Sequence, residues 1–207
     1  MNAPVNLDEI QRETYREDIA GLNVHNHLKD KSVPELRDIS MSDRFPFAVM
    51  ALSLTGDGNV GGIVRSAVLH GAEKVWIYGR RKFDKRPTVG SLNYIDHEII
   101  DGFEDNKPGI FDVQKFMTII AENEYFPVFV EQGGTSLEEF DWNALPDMKI
   151  LLVLGNETNG IPEEFMKVME DLSEIVSIPQ RGVIRSFNVS NAMNIVTWDM
   201  RMKKKWF

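Results

Sequence analysis

The feature that most restricts the fold is a series of short apolar runs, spaced so that polar turns and helix-length segments fit between them. Phe47-Ala48-Val49-Met50-Ala51-Leu52-Ser53-Leu54 and Lys149 to Leu154 have no alternating polar face, the pattern of strands buried on both sides. Further strands are predicted at Lys74 to Tyr78, Phe126 to Val130 and Glu174 to Ile178. Between them the sequence predicts a Gly-rich turn from Gly56 to Gly62 with a helix following it through His70, and a helix over Val113 to Glu124. It predicts a turn at Gly133-Gly134, a helix starting at Pro162 with Glu163 and Glu164 near its N-terminus, and a closing helix from about Asn188. The stretch before Gly109 carries no regular pattern. This alternation predicts an α/β fold, a mainly parallel sheet covered by helices on both faces, with ligands beyond the C-terminal ends of the strands.

A chain of 207 residues suits one core with an extension. The core is expected over residues 45–207, and residues 1–44 form a partly helical appendage. In it, Asn6 and Glu9 are spaced as a capping box for an amphipathic helix carrying Leu7, Ile10, Ile19 and Leu22, with Gly21 ending it. No apolar run is long enough to span a bilayer, and the N-terminus lacks the layout of a signal peptide, so a soluble, unexported, cytoplasmic protein is expected. The lack of Cys excludes disulfides, thiolate nucleophiles and thiolate-held metals. Of the four His only His25 and His27 are close, and H-x-H without further ligands predicts no metal site.

A formal charge of −9 opposes indiscriminate binding to a polyanion, so any nucleic-acid contact has to come from a local cluster. Arg80, Arg81, Lys82, Lys85 and Arg86, gathered around Phe83, are the candidate RNA-binding residues. The second cluster, Lys203 to Lys205, fits RNA contact and the cation preference of a final helical turn equally well.

Three polar turns follow predicted strands. The first, Gly56-Asp57-Gly58-Asn59-Val60-Gly61, satisfies G-x-G-x-x-G, and Arg80 and Arg81 after the next strand suit a 2′-phosphate, so an NADP-binding oxidoreductase is one reading. Glycines serving only a tight turn are another. The same segment also contains Asn59, Gly61, Arg65 and Ala67, an N-x-G-x-x-x-R-x-A pattern that puts a guanidinium almost two helical turns after an amide. The second turn, Gly155-Asn156-Glu157-Thr158-Asn159-Gly160-Ile161, offers close backbone approach beside a carboxylate, or a polar cap for the next helix. In the third, Ile178 to Ala192, Ser186, Asn188 and Ser190 are available either to a ligand or as N-caps.

In this order the three segments resemble the SpoU, or TrmH-like, branch of the SPOUT methyltransferases: N-x-G-x-x-x-R-x-A at Asn59 to Ala67, G-x-E-x-x-G-I at Gly155 to Ile161, and I-P followed by S-F-N-x-S-x-A at Ile178 to Ala192. Phe187 stands where that pattern has Leu or Met, and Arg185 takes a position often acidic or polar. The resemblance implies a C-terminal deep trefoil knot, a homodimer sharing its RNA site between subunits, and S-adenosylmethionine as cofactor. It implies methylation of a ribose 2′-hydroxyl in tRNA or rRNA, with a non-catalytic RNA-binding protein on the same fold as a further alternative. Leu154, Gly155, Asn156, Ile178 and Gln180 are the implied cofactor contacts, with Ser186 and Asn188 nearby and Glu131 to Gly133 closing the pocket. Arg65 is the implied central catalytic residue, oriented with the ribose by Asn59, Glu157 and Asn188, and no metal is needed. The family view makes Arg65 a base; a guanidinium with pKa above about 12 is better suited to holding a phosphate and stabilising an incipient alkoxide.

Overall fold

The computed structural model describes residues 23–80, 82–105, 107 and 109–207. The helix predicted around Leu7 to Leu22 lies outside the described residues, as does Arg81. Six strands, β1 (Phe47–Leu52), β2 (Lys74–Tyr78), β3 (Asp96–Ile100), β4 (Tyr125–Ser136), β5 (Lys149–Leu154) and β6 (Glu174–Ser177), form one sheet in the order β3-β2-β1-β5-β4-β6. Every pairing is parallel, with Phe47 opposite Ile150 and Val49 opposite Val75.

Residues two apart share a face of a strand, so the apolar runs supply two cores at once. Phe47, Val49 and Ala51 of β1 join Ile150, Leu152 and Leu154 of β5 in a cluster with Ile63, Val64 and Ala67 of α2 (Asp57–His70) and Met193, Val196 and Met200 of α5 (Val189–Lys204). Ala48, Met50 and Leu52 join Leu151 and Val153 on the other side, with Phe116 of α3 (Val113–Glu122) and Phe165 of α4 (Glu163–Val168). Among the described residues no helix is long and apolar enough to cross a membrane.

Three local expectations are corrected. The Gly56 to Gly62 stretch is not a turn: α2 begins at Asp57, and Gly61 serves a close approach, since a Cβ there would lie 2.4 Å from Pro87. Gly133 and Gly134 do not end β4, which continues to Ser136 with its register shifted between Val130 and Thr135. Gly134 crosses β6 so closely that a Cβ would sit 2.3 Å from the Ile175 carbonyl oxygen. The patternless stretch contains β3, an edge strand whose first three residues, Asp96, His97 and Glu98, are exposed, together with two 3-10 turns, Arg86–Thr88 and Ser91–Tyr94, beside α2.

The second half of the appendage is docked. Glu35 accepts hydrogen bonds from the Ser32 backbone and hydroxyl at the start of α1 (Val33–Ser42), and Leu36 is buried. Arg37 reaches the carbonyls of Asn93 and Ile95, and Arg44 those of Tyr94 and Val68, the latter near the C-terminal end of α2. At the other end of the chain, Lys203 pairs with Asp199 and donates to the Leu137 and Phe140 carbonyls, while Trp206 stacks on Phe45. Lys203 is thereby committed to packing the last helical turn.

Candidate functional site

β1 and β5 are adjacent and parallel, so the segments leaving their C-terminal ends emerge side by side. Ser53, at a left-handed φ of 47°, turns the first of them, and its carbonyl accepts from Asn156 Nδ2 at 2.6 Å. Thr55 and Gly56 then present the free N–H groups that precede a helix, and Glu157 meets them from the other segment. Its carboxylate accepts from the Thr55 N–H (3.0 Å) and hydroxyl (3.1 Å), the Gly56 N–H (3.0 Å) and Asn59 Nδ2 (2.7 Å). Partial burial pushes the pKa of Glu157 upward and is the largest single influence. The hydrogen bonds from Asn59, Thr55, Gly56 and its own backbone outweigh it together and bring the carboxyl down to about 2.

A carboxylate only accepts, so Asn59 must turn its amide nitrogen to Glu157 and leave its carbonyl free. Asn188 Nδ2 fills that place at 2.8 Å, and the Asn188 oxygen accepts from the Ser190 N–H (3.0 Å) and hydroxyl (2.7 Å), capping α5. Glu157, Asn59 and Asn188, one from each polar segment, thus form a continuous hydrogen-bonded chain.

Beside this chain opens a cleft of about 610 Å³ over the C-terminal ends of β4, β5 and β6. Glu131, Leu154, Gly155, Asn156, Glu157, Ile178, Gln180, Ser186 and Asn188 all line it. The 155–161 loop closes on itself through reciprocal backbone bonds between Asn156 and Gly160, so tightly that a Cβ on Gly155 would lie 2.3 Å from the Gly160 carbonyl carbon. Glu131 anchors the loop by accepting from the Ile161 N–H at 2.9 Å. Gly133 does not line the cleft; it faces a neighbouring recess with Gly134 and Thr135.

Two parts of the expected site lie elsewhere. Arg65 sits six residues past Asn59, about 9 Å further along the helix axis, exposed, outside the cleft lining and without a hydrogen bond or ion pair to another described residue. The basic cluster is partly neutralised: Arg80 pairs with Asp57 at 2.7 Å and Arg86 with Asp84. Lys82 is exposed. The glycine pattern does not build a dinucleotide site, because Gly56, Gly58 and Gly61 are absent from the cleft lining and Gly61 is spent on Pro87. Gln132 lies in the segment expected to close the pocket, whereas Arg185 was not expected as a contact: Gln132 Nε2 donates to the Arg185 carbonyl (2.7 Å), and the Arg185 guanidinium to the Thr158 carbonyl (2.6 Å), tying three segments around the cleft. The signal available was the unusual cation at Arg185.

Comparisons with known proteins agree with this arrangement. A mouse tRNA (guanosine(18)-2′-O)-methyltransferase, TARBP1, is 37% identical over 75 residues, which is 36% of this chain and 4% of that protein, so the chain spans a small fraction of its curated relative. The A. aeolicus TrmH/SpoU tRNA modifying enzyme superposes with a TM-score of 0.64 at 20% identity, covering 84% of this chain and 82% of that one. The SpoU methyltransferase AviRb from Streptomyces viridochromogenes, crystallised in complex with AdoMet, gives 0.59 at 24% identity over 79% of this chain and 61% of that one. An AdoMet-bound rRNA methyltransferase from Sinorhizobium meliloti gives 0.60 at 23% identity, over 81% and 59%. The model of the SpoU rRNA Methylase family matches residues 46–198, a span holding all three motifs, the hydrogen-bonded chain that joins them and the cleft beside it, and this chain belongs to that family.

Proposed function

We propose that this protein transfers a methyl group from S-adenosylmethionine to a ribose 2′-hydroxyl of tRNA or rRNA. The observation that carries the reading is the Glu157–Asn59–Asn188 chain, which gathers all three motifs at one side of a cleft sized for a nucleoside cofactor. The cleft fits the group: Leu154, Val176 and Ile178 offer an apolar floor, and the carboxylates of Glu131, Glu157 and Glu163 complement a cationic ligand. When bound, S-adenosylmethionine supplies an electrophilic methyl on sulfur. Gly155 lets the 155–161 loop close on itself, that loop and Ile178 to Gln180 hold the nucleoside, and Ser186 and Asn188 close one side.

In this reading Arg65 stabilises charge developing on the 2′-oxygen and holds the neighbouring phosphate, and a second copy of the chain brings it to the cleft. Support comes from the surface around it. Gly62 of α2 lies against Ser190 of α5 and His70 bonds Asn194, yet Leu69, Ile195 and Trp198 on the same two helices are 72%, 37% and 57% exposed. A C-terminal trefoil knot belongs to the same proposal. The segment after β6 runs from the sheet edge across the 155–161 loop, where Arg185 meets Thr158, to reach Asn59 at α2.

The acidic composition is compatible with an RNA substrate because it is local. Residues 131–174 hold eleven carboxylates against Lys149 and Lys167, which equals the net charge of −9, so the rest of the chain is balanced. The test is incubation with total RNA and methyl-labelled cofactor, followed by alkaline digestion. Label in alkali-resistant dinucleotides is the expected result; label in bases, or none from a protein that binds S-adenosylhomocysteine, overturns it. For the shared site, Arg65→Ala and Gly155→Val proteins, each inactive, are mixed under subunit exchange. Half of the pairs are then mixed and each has one complete site, restoring about a quarter of the wild-type rate. No recovery places Arg65 in its own chain's site.

A further inference from the structure

The geometry points to Arg185 as the residue that recognises the α-carboxylate of the cofactor's amino-acid tail, an inference that rests on the proposed cofactor. Among the described residues Arg185 is the one Lys or Arg side chain lining the cleft, and the carboxylates that line it are those of Glu131, Glu157 and Glu163. Two of these three are engaged without it: Glu157 by Thr55, Gly56 and Asn59, and Glu131 by the backbone N–H groups of Ile161 and Gln132 at 2.9 and 2.8 Å. Arg185 forms no ion pair with any of them. It is positioned by neutral groups, one N–H on the Thr158 carbonyl and its own carbonyl held by Gln132.

A guanidinium has five N–H donors in a rigid fork, and one of them is used here. The rest, with the full charge, stay available at the rim where the 155–161 and 178–188 segments meet. S-adenosylmethionine carries a sulfonium, an ammonium and a single anion, its carboxylate. In a cleft whose other charged side chains are glutamates, that anion needs a cation held apart from them, and bidentate pairing with a pre-oriented Arg meets the need. The tether to Thr158 also explains why an Arg suits this position: one donor fixes the loop while the others face the ligand.

The test is titration calorimetry of wild-type protein and of Arg185→Gln and Arg185→Lys with two ligands, S-adenosylhomocysteine and 5′-methylthioadenosine, which keeps the nucleoside and thioether but lacks the amino acid. Arg185→Gln is expected to weaken S-adenosylhomocysteine about 10- to 100-fold, the usual weight of a hydrogen bond to a charged group, and to leave methylthioadenosine within about twofold, with Arg185→Lys in between. Equal weakening of both ligands makes Arg185 a brace for the loop and overturns the inference. So does unchanged S-adenosylhomocysteine binding with a raised KM for RNA, which assigns the guanidinium to a phosphate of the substrate. Wild-type protein that binds neither ligand removes the inference and the proposed cofactor together, whereas wild-type binding without discrimination by the variants removes the inference alone.

Discussion

Glu157 and Arg65 come from the same set of motifs and are treated in opposite ways by the fold. Glu157 is half-buried, its oxygens are held by groups from two segments, and its charge is locked down to about 2. Arg65 projects from α2 into solvent with no partner among the described residues. A side chain whose hydrogen bonds are complete in one chain fixes shape, and what it still offers a ligand is its charge. A charged side chain left bare keeps all its donors for a group supplied from outside. On the proposed function, the first region supplies preorganisation and the second meets the reacting partner.

Four experiments would break or sharpen that division. The largest effect is expected for Arg65→Ala, which should lower methyl transfer about 1000-fold, the scale of losing one electrostatic stabiliser, with Tm and S-adenosylhomocysteine affinity unchanged. A fall in Tm would show that Arg65 also holds structure. Gly155→Val drives a branched side chain into the Gly160 backbone and should weaken S-adenosylhomocysteine about 100-fold, since overpacking against rigid backbone costs up to about 3 kcal/mol; undiminished binding would place the ligand elsewhere. Glu157→Gln replaces one of the two accepting oxygens by an amide donor, which then opposes the N–H of either Thr55 or Gly56, and urea unfolding should report a loss of about 1–3 kcal/mol.

The smallest effect is the pH dependence of that last difference. The folded pKa of Glu157 lies below its ordinary value of 4.5, so its stabilisation is complete above about 4.5 and is lost as pH falls toward about 2. Wild type and Glu157→Gln should therefore differ in stability fully at pH 6 and less at pH 3. A constant difference across that range would mean that the loop geometry, not the charge, is what the carboxylate supplies.

The parts of the fold that the sequence revealed are those where burial leaves a local trace. β1 and β5 have neighbours on both sides and helices on both faces, and their unbroken apolar runs follow from that. β3 left no trace because an edge strand with Asp96, His97 and Glu98 in solvent has no apolar face to display at those positions. The glycines misled where they answer a neighbour instead of a turn: Gly61 makes room for Pro87 and Gly134 for Ile175, contacts invisible along the chain. Of the nine residues that spacing and resemblance assigned to the cofactor, eight line one cleft. What spacing did not convey is that Arg65, about 9 Å beyond Asn59 on the same helix, leaves the cleft that Asn59 helps to shape.

The bonds that hold the site together span very unequal stretches of chain: Asn59 waits 98 residues for Glu157 and 129 for Asn188. No N-terminal fragment emerging during synthesis contains a working centre, and contacts of such long separation form late and slowly. On the proposed function, affinity for the cofactor is therefore a property of the finished molecule, and a ligand added to a refolding mixture will capture only chains whose final helix has already docked.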